Sequence, residues 1–348
     1  MKRRQCLVWG WGLLTAGLSN SMLANAWAAD RTASAGKLVW RERALLGFGT
    51  TLWIKAAHEN ADQLESALNA AVKSIRHIER QMSLFDPDSV VSQLNRQRKL
   101  NHADRDLVSV LNLSQQIARG SSGSFDISMQ PLWEVWSRAT EAHQLPSPKQ
   151  VQAAQRLVNW RAIELSGSTV RLNTPGMALS LNGVAQGYAA DAARKVLQQQ
   201  GIRHAMIDTG ETGLLGQAPN GKDWRVRIED AIAQPGQPDQ VRANRGPQLR
   251  SDGRAMATSS DAHTVFTEDR RYHHILDPRT GYSPQHWSSV TVLATSCAKA
   301  DALTKVFFML PPSRVQSECE RWGVDVVLQD KAGQWTSSRG AAPLLDLG

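Results

Sequence analysis

The sequence predicts an α+β fold in a single intertwined domain, and three observations support this prediction. Strand-like and helix-like segments alternate from about Leu38 onward. Apolar residues recur at helical spacing in some segments and form short β-rich runs in others. Hydrophobic residues make up 41% of the 348 residues and charged residues 21%, which is typical of a globular protein with a sizeable core. We therefore assign residues 36–348 to one domain.

The helices are predicted from apolar residues that recur every three to four positions. A long amphipathic helix is predicted over 64–78, a second over 107–117, and a third over 184–197, just after Gly183. A last helical stretch is predicted to begin near Ala298 and to stop at Pro311-Pro312, because proline cannot continue a helix.

The strands are predicted from short runs of β-branched and aromatic residues. Residues 231–253, rich in Pro, Gln, Asn and Gly, are predicted to form a long surface loop, because related elements continue on both sides. The predicted strands lie at 45–55, 204–208, 224–228, 272–276 and 289–294.

Residues 1–28 are typical of a cleaved signal peptide, which predicts a periplasmic protein. Lys2-Arg3-Arg4 precedes a short apolar run over 7–18, and Ala26-Trp27-Ala28 offers small residues for cleavage. The run is too short to favour a retained membrane anchor. The arginine pair favours the twin-arginine route over the general secretory route. Cys6 lies in no lipoprotein-type sequence, so no lipid anchor is predicted.

The charge distribution favours a phosphate-bearing ligand and excludes nucleic acid as a partner. The formal net charge is +8, and the leader contributes three of the basic residues. A mildly basic mature chain suits a phosphorylated ligand or an anionic membrane surface nearby. The basic residues form no stripe with interleaved aromatics, as a nucleic-acid-binding surface would require.

The two cysteines that remain after cleavage, Cys297 and Cys319, leave two alternatives open. In an exported chain they could form a disulfide, but the sequence does not show whether they are close together. They could equally be two buried free thiols. Cysteine and histidine residues show no zinc-binding spacing.

Two polar segments depart from simple core patterning in the first half of the chain. Residues 82–89 contain Asp-Pro-Asp-Ser, which also suits an ordinary turn. Residues 123–127 follow Gly120-Ser121-Ser122, so this loop could bring main-chain N–H groups to a ligand, although many such loops have no function.

Residues 180–191 predict a junction in which a strand ends, glycines turn the chain and a helix begins. Free N–H groups and the positive end of the helix dipole suit a phosphate at such a junction. Many α/β proteins have a similar junction for packing alone.

The last polar segment extends from residue 257 to residue 305. Asp301 opens a helix and could simply cap it. His273 and His274 could be surface residues, and 277–281 could be only a turn.

Taken together and in order, these segments resemble the ApbE family, the FAD:protein FMN transferases. The resemblance extends from about Leu45 to Leu328 and rests on seven segments in register. It implies the ApbE, T-fold-like type of fold, with mixed, largely antiparallel sheets and packed helices. The matching segments are Phe48-Gly49-Thr50, 82–89, 123–126, 182–188, Thr258-Ser259-Ser260, 274–281 and 300–305.

The resemblance also implies roles for individual residues. His274 and Asp301 would be catalytic. A Mg²⁺ ion would be held by the Gly183 carbonyl and Asp301, with Thr304 or Lys305 at the place of a further threonine ligand. The residues that would contact FAD are Phe48, Phe85, Ser124, Phe125, Asp126, Ser180, Gln186 and Ile275; Phe48, Phe85, Ser180 and Gln186 replace the usual Met, Tyr, Asp and Lys.

The implied reaction is metal-dependent transfer of the FMN part of FAD to a threonine or serine hydroxyl of an acceptor flavoprotein, with release of AMP. Phosphoryl transfer needs charge neutralisation, which a cation supplies. His274 would act as general base or phosphate contact. Lys305 would either damage the metal site or supply the charge that a second cation supplies elsewhere.

The implied acceptor belongs to an electron-transfer complex at or near the membrane. Two alternative functions also involve FAD. The chain could be a non-catalytic FAD-binding carrier or a metal-dependent FAD pyrophosphatase.

Overall fold

The strands form three antiparallel sheets within residues 38–232 and 246–346, which are the residues that the computed structural model describes. In chain order the strands are β1 (Val39–Gly47), β2 (Thr50–His58), β3 (Lys99–Leu100), β4 (Ile163–Ser166), β5 (Thr169–Leu172), β6 (His204–Asp208), β7 (Thr212–Leu215), β8 (Arg225–Arg227), β9 (Gln248–Arg250), β10 (Ala255–Ser260), β11 (Trp287–Ala294), β12 (Asp325–Asp330), β13 (Trp335–Ser337) and β14 (Leu345–Asp346).

The central sheet has eight strands in the order β1-β2-β6-β7-β10-β11-β12-β13. Two smaller sheets have the orders β14-β9-β8 and β3-β5-β4. Strand β2 pairs with β6, so that Trp53 lies opposite Asp208. The N-terminal strands are thereby joined to the middle of the chain in one sheet, which is what makes the domain intertwined.

Helices pack on this sheet. In chain order the helices are α1 (Ala61–Met82), α2 (Val90–Gln97), α3 (Arg105–Gly120), α4 (Gln130–Glu141), α5 (Pro148–Gln155), α6 (Ala185–Gln199), α7 (Cys297–Phe308) and α8 (Pro312–Trp322). Three of them, α1, α6 and α7, carry the core. Helix α6 packs against α1 and α7, and α7 packs on β10 and β11. Helix α7 is therefore buried on almost every side, with Asp301 and Thr304 among its buried polar residues.

The α+β prediction is confirmed, and so are the elements with the strongest local patterns. The helix predicted over 64–78 lies within α1, and Leu64, Leu68 and Ile75 are fully buried at its helical spacing. The helices predicted over 107–117 and 184–197 correspond to α3 and α6. The strand predicted over 204–208 is β6, and the strand predicted over 289–294 lies within β11.

The strand predicted over 45–55 is wrong, because the chain reverses direction inside it. Phe48 and Gly49 have positive φ values of 51° and 79°, and Gly47 pairs with Thr50 across the turn. The left-handed conformation, which glycine adopts readily, permits the tight turn between β1 and β2.

The strand predicted over 272–276 is also wrong. His273 forms only an isolated bridge with Val265, and the aromatic residues here pack on Trp136 of α4. Their apolar character therefore reflects a small separate core rather than a sheet. We call residues 261–286, which run from β10 to β11, the strap.

Two further boundaries differ from the prediction. The predicted loop over 231–253 contains the short strand β9, in which Leu249 is fully buried. Helix α7 ends at Phe308, and Pro312 begins another helix, α8, because proline is tolerated in a first helical turn.

Several predictions concern other parts of the molecule. The signal peptide predicted for residues 1–28 lies outside the described residues. Cys297 and Cys319 are both buried free thiols, so of the two alternatives the unpaired one holds. From Leu38 on, in the parts that the structure describes, no helix is both long and apolar enough to cross a membrane.

Candidate active site

The start of α6 meets α7 at a contact that only glycine permits. A Cβ atom on Gly187 would lie 2.4 Å from the Cys297 carbonyl oxygen and 2.8 Å from the Ala298 nitrogen. The two helices therefore approach each other to main-chain contact. The Gly187 N–H donates a hydrogen bond of 3.2 Å to Oδ2 of Asp301, so the buried carboxylate lies at the positive end of α6.

Lys305 lies one helical turn after Asp301, and its ammonium group contacts the Asp301 carboxylate. Lys305 Nζ also donates to the Asp301 main-chain carbonyl at 3.1 Å. A Cβ atom on Gly183 would lie 3.2 Å from Lys305 Cε and 3.5 Å from the Phe125 ring. Lys305 thus brings together three of the predicted site residues, Gly183, Phe125 and Asp301.

Glu211 is a buried acid in this cluster that the sequence analysis did not identify. Its Oε2 accepts a hydrogen bond of 3.0 Å from the Thr258 N–H. Burial raises the pKa of the Glu211 carboxyl well above its usual range, the negative charge of Asp301 raises it further, and the Lys305 ammonium opposes both effects. A signal was available, since an acid between two glycines in the short β6–β7 hairpin is unusual.

Gln186 ties the start of α6 to the hairpin that carries Glu211. Its Nε2 donates to the Thr209 carbonyl at 2.8 Å, and the Thr209 hydroxyl donates to the Gln186 carbonyl at 2.8 Å. The side chain also packs closely on Gly210. The amide therefore has a structural partner, and its predicted contact with FAD stays a prediction.

Two of the residues predicted to hold Mg²⁺, Thr304 and Lys305, do not suit such an ion as they stand. The fully buried Thr304 hydroxyl shares a 2.7 Å hydrogen bond with Ser259 Oγ and donates at 2.6 Å to the Asp301 carbonyl. Lys305 carries an ammonium group, which donates hydrogen bonds and offers no lone pair to a metal. Both oxygens of the Asp301 carboxylate already have hydrogen-bond donors, Lys305 and Gly187.

The geometry suits His274 to accept a proton. Its ring Nδ1 lies 3.1 Å from the Thr264 carbonyl oxygen. Burial lowers the pKa of His274 to about 4, and the charges of His263 and Lys305 lower it further. The imidazole is therefore neutral near pH 7, and the tautomer that donates from Nδ1 to the carbonyl leaves the lone pair of Nε2 free. The ring centroid of the adjacent His273 lies 6.1 Å from that of Phe308, so this part of the strap packs on α7, the helix that carries Lys305.

The Ser124–Asp126 part of the predicted FAD loop is held by internal hydrogen bonds. Asp126 accepts from the Ser128 N–H at 2.8 Å, the Ser128 hydroxyl at 2.6 Å and the Trp160 N–H at 2.9 Å. Burial raises the pKa of the Asp126 carboxyl. Asp126 therefore shapes the loop, while its neighbour Phe125 reaches Gly183.

The remaining predicted FAD residues are Ser180, Ile275, Phe85 and Phe48, and their contact with FAD stays a prediction. The Ser180 N–H donates to the Ile127 carbonyl at 2.7 Å, which links the FAD loop to the segment before α6. Ile275 is buried beside His274. Phe85 is 67% exposed and its ring packs on Gly49, next to the buried Phe48. Phe85 thus places an exposed apolar side chain at the β1–β2 turn.

A second group of possible metal ligands consists of His77, Asp104 and Asp106, whose ligand atoms lie within 4.8 Å of one another. Asp104 caps α3 by accepting from the Asp106 N–H at 2.8 Å, and Asp106 accepts from the Tyr188 hydroxyl at 2.9 Å. His77 lies 3.4 Å from Asp104 and 3.5 Å from Asp106. These contacts account for the group as a helix cap with ion pairs, and it shares no residue with the Asp301 cluster.

Comparison with known proteins shows the family of the chain. The model of the ApbE family matches residues 48–328. A FAD:protein FMN transferase of Vibrio cholerae is 25% identical over 288 residues, which cover 80% of this chain and 84% of that protein. A FAD:protein FMN transferase of Haemophilus influenzae is 26% identical over 299 residues, which cover 80% of this chain and 83% of that protein.

Solved structures share the fold. The ApbE protein of Thermotoga maritima superposes with a TM-score of 0.77 at 23% identity and covers 88% of this chain and 99% of its own. The flavinyl transferase ApbE of Pseudomonas stutzeri, in its apo form, superposes with a TM-score of 0.73 at 24% identity and covers 88% of this chain and 97% of its own.

Proposed function

Since the chain belongs to the ApbE family, we propose that it transfers the FMN part of FAD to a threonine or serine hydroxyl of an acceptor flavoprotein and releases AMP. The observation that carries this proposal is the pairing of a proton acceptor with a cation. His274 is neutral near pH 7, and its neighbour His273 packs on Phe308, three residues after Lys305 in α7. A phosphoryl transfer to a hydroxyl needs both groups.

In the proposed reaction, His274 Nε2 takes the proton of the acceptor hydroxyl. The hydroxyl oxygen forms a bond to the FMN-side phosphorus of FAD, and the bond between that phosphorus and the bridging oxygen breaks. AMP leaves with the bridging oxygen and its electron pair. Lys305 neutralises part of the charge on the diphosphate as this bond breaks.

The start of α6 adds a fixed positive field to the site. Helix α6 begins at Ala185 without a side-chain cap, and its first turn already accommodates the carboxylate of Asp301. Main-chain N–H groups at a helix start bind anions, phosphate included. The adjacent Gly183 lies between Phe125 and Lys305, where a diphosphate would meet both the apolar ring and the ammonium group.

A Mg²⁺ ion was implied by the resemblance, but the residues at 304 and 305 do not fit it, and Lys305 occupies the carboxylate of Asp301. A bound Mg²⁺ would supply positive charge to the diphosphate. In this chain the Lys305 ammonium already has that charge beside Asp301. The proposed reaction therefore uses Lys305 for charge neutralisation.

We place the reaction in the periplasm, with an acceptor that belongs to an electron-transfer complex at or near the membrane. The support is the sequence of residues 1–28, which is typical of an export signal. A flavin attached after export would serve a redox protein that works outside the cytoplasm.

The test is to incubate the mature protein with FAD and an exported electron-transfer flavoprotein that carries a candidate threonine. We expect covalent flavin fluorescence on the acceptor and one AMP for each flavin attached, and a serine variant of that threonine as acceptor should still be labelled. An acceptor with alanine at that position should stay unlabelled. Free FMN and AMP without labelling would identify a pyrophosphatase, and unchanged bound FAD would identify a carrier.

A further inference from the structure

We propose that the Lys305 ammonium is the resident cation of the active site, and that it holds the place beside Asp301 and Gly183 where a divalent cation would otherwise bind. This inference rests on the proposed function only for the identity of the ligand, FAD. It concerns which cation meets the diphosphate, and it can be tested without any flavin transfer.

The first argument comes from the contacts of the ammonium group. Lys305 folds back along α7, contacts the carboxylate of Asp301 and donates at 3.1 Å to the carbonyl of the same residue. A carboxylate oxygen and a main-chain carbonyl oxygen are the kinds of ligand that Mg²⁺ takes in proteins. The ammonium group thus binds the oxygens that a hard metal ion would need.

The second argument is that two further oxygens beside the ammonium, Asp301 Oδ2 and Thr304 Oγ1, have hydrogen-bond partners of their own while Lys305 is in place. Asp301 Oδ2 accepts from the Gly187 N–H at 3.2 Å, and Thr304 Oγ1 lies 2.7 Å from Ser259 Oγ. Thr304 is fully buried in that hydrogen bond, so it would have to leave its partners to reach an ion. Mg²⁺ demands near-octahedral geometry at short distances, which this arrangement does not provide.

The third argument is electrostatic. Two buried acids lie on the side of α7 that carries the ammonium: Asp301 contacts it, and Glu211 accepts a hydrogen bond from the Thr258 N–H in β10, on which α7 packs. An ion with two positive charges at this position would repel the Lys305 ammonium strongly, since the repulsion grows as the distance and the local dielectric constant fall. Lys305 and a metal ion are therefore alternative occupants of one place.

The fourth argument is that the ammonium keeps one donor for a ligand. An ammonium group has three N–H donors, and Asp301 accepts two of them. The Lys305 side chain is 22% exposed, whereas that of Asp301 is 1% exposed, so of this pair it is Lys305 that solvent and a ligand can reach. Asp301 thus positions the ammonium, and the third N–H is available to a phosphate oxygen.

The experiment compares metal binding and FAD binding in the absence of an acceptor. Free Mn²⁺ is measured by its electron paramagnetic resonance signal while the apo-protein is titrated, first as the natural chain and then as Lys305→Thr. We expect the natural chain to leave the signal unchanged and Lys305→Thr to bind one Mn²⁺. Adding Asp301→Asn to Lys305→Thr should abolish that gain. If the natural chain binds one Mn²⁺ ion and the single variant Asp301→Asn does not, the proposal is overturned.

FAD affinity gives the second readout. It is measured from the change in flavin fluorescence on binding, once in a buffer with EDTA and once in a buffer with Mg²⁺. The natural chain should bind FAD equally well in the two buffers. Lys305→Thr should bind FAD about tenfold more weakly or worse in EDTA, as expected for loss of a close charge, and Mg²⁺ should restore it. If the natural chain loses its affinity for FAD in EDTA, the inference is contradicted.

The matched control is Lys299→Thr, the same substitution nearly two turns closer to the start of α7. Lys299 donates to the Trp322 carbonyl at 2.6 Å and so has a partner elsewhere. This variant should resemble the natural chain in both measurements. Circular dichroism of each variant separates a change at the site from misfolding. If the metal and FAD results hold while no acceptor is labelled, the proposed transfer fails and this inference stands.

Discussion

The main-chain N–H of Gly187 donates to Oδ2 of Asp301 across the interface of α6 and α7, at 3.2 Å. The bond exists because Gly187 has no side chain to keep the helices apart. It connects the glycine-rich start of one helix with the buried acid of another, and these are the two features from which the rest of the site is built.

Gly187→Ala should therefore destabilise the protein and distort the site. The new Cβ atom would lie 2.4 Å from the Cys297 carbonyl oxygen, so main chain rather than a flexible side chain must move. We expect a loss of about 1–3 kcal/mol or more in the free energy of unfolding, as for overpacking elsewhere. Urea unfolding followed by circular dichroism measures this loss.

The control for Gly187→Ala is Gly213→Ala, because a Cβ atom on Gly213 would meet Cys297 Sγ at an ordinary 3.5 Å. Equal stability of the two variants would refute the explanation.

His274→Asn should slow flavin transfer by about 10²–10⁴-fold while FAD affinity stays nearly constant, because a general base acts on the acceptor and not on FAD binding. Single-turnover transfer with saturating FAD measures the rate, and flavin fluorescence measures the affinity. His263→Asn, at an exposed neighbouring position, should retain most of the rate. A normal rate from His274→Asn once FAD is bound would make His274 a binding residue only.

The pH dependence of transfer should reflect the lowered pKa of His274, about 4. The proton-accepting form is the neutral one, which exists above that pKa. The rate should therefore hold as the pH falls through the ordinary histidine range and should decline only near pH 4. A decline centred near the model-peptide value of about 6.5 would mean that the imidazole is more solvated than the structure has it.

Acid should begin to destabilise the fold below about pH 6.5, the ordinary pKa of a histidine in the unfolded chain. His273 is fully buried, and burial lowers its pKa to about 3. Below about pH 6.5 the unfolded chain binds a proton at this residue and the folded chain does not, so the free energy of unfolding falls as the pH is lowered. We expect a loss of about 2 kcal/mol from His273 between about pH 7.5 and about pH 5, measured by urea unfolding. In His273→Asn this part of the slope should disappear; an unchanged slope would show that His273 is protonated when folded.

Trp136 should hold the strap that carries His274. Its ring stacks on Phe266 and packs on Tyr272 and Tyr282, and its Nε1 donates to the Gly281 carbonyl at 2.9 Å. Trp136→Ala should cost about 3–5 kcal/mol. The conservative Trp136→Phe should lose mainly the hydrogen bond, about 1 kcal/mol.

Limited proteolysis followed by mass spectrometry checks this role of Trp136. The first cuts in Trp136→Ala should lie within 261–286, and Trp136→Phe should resist like the natural chain. First cuts outside the strap would mean that Trp136 stabilises the domain as a whole.

Local patterns in the sequence determined the elements that depend on few distant contacts. Helices α1, α3 and α6 follow from apolar residues at helical spacing, since a helix buries a stripe that its own sequence defines. The order of the polar segments was enough to place the chain in its family. The turn at Phe48 and Gly49 was not predicted, because glycines within a strand-like run are also found at bulges and do not by themselves show that the strand reverses.

Only the tertiary structure decided what the site residues do. Glu211 and Asp301 are far apart in the sequence, and the pairing of β7 with β10 and the packing of α7 on that strand bring them together. The sequence left Lys305 with two opposite roles, because a flexible side chain can direct its charge toward a site or away from it. Its direction depends on the packing around Gly183, Phe125 and Asp301, and such contacts between distant segments form only when the chain has folded.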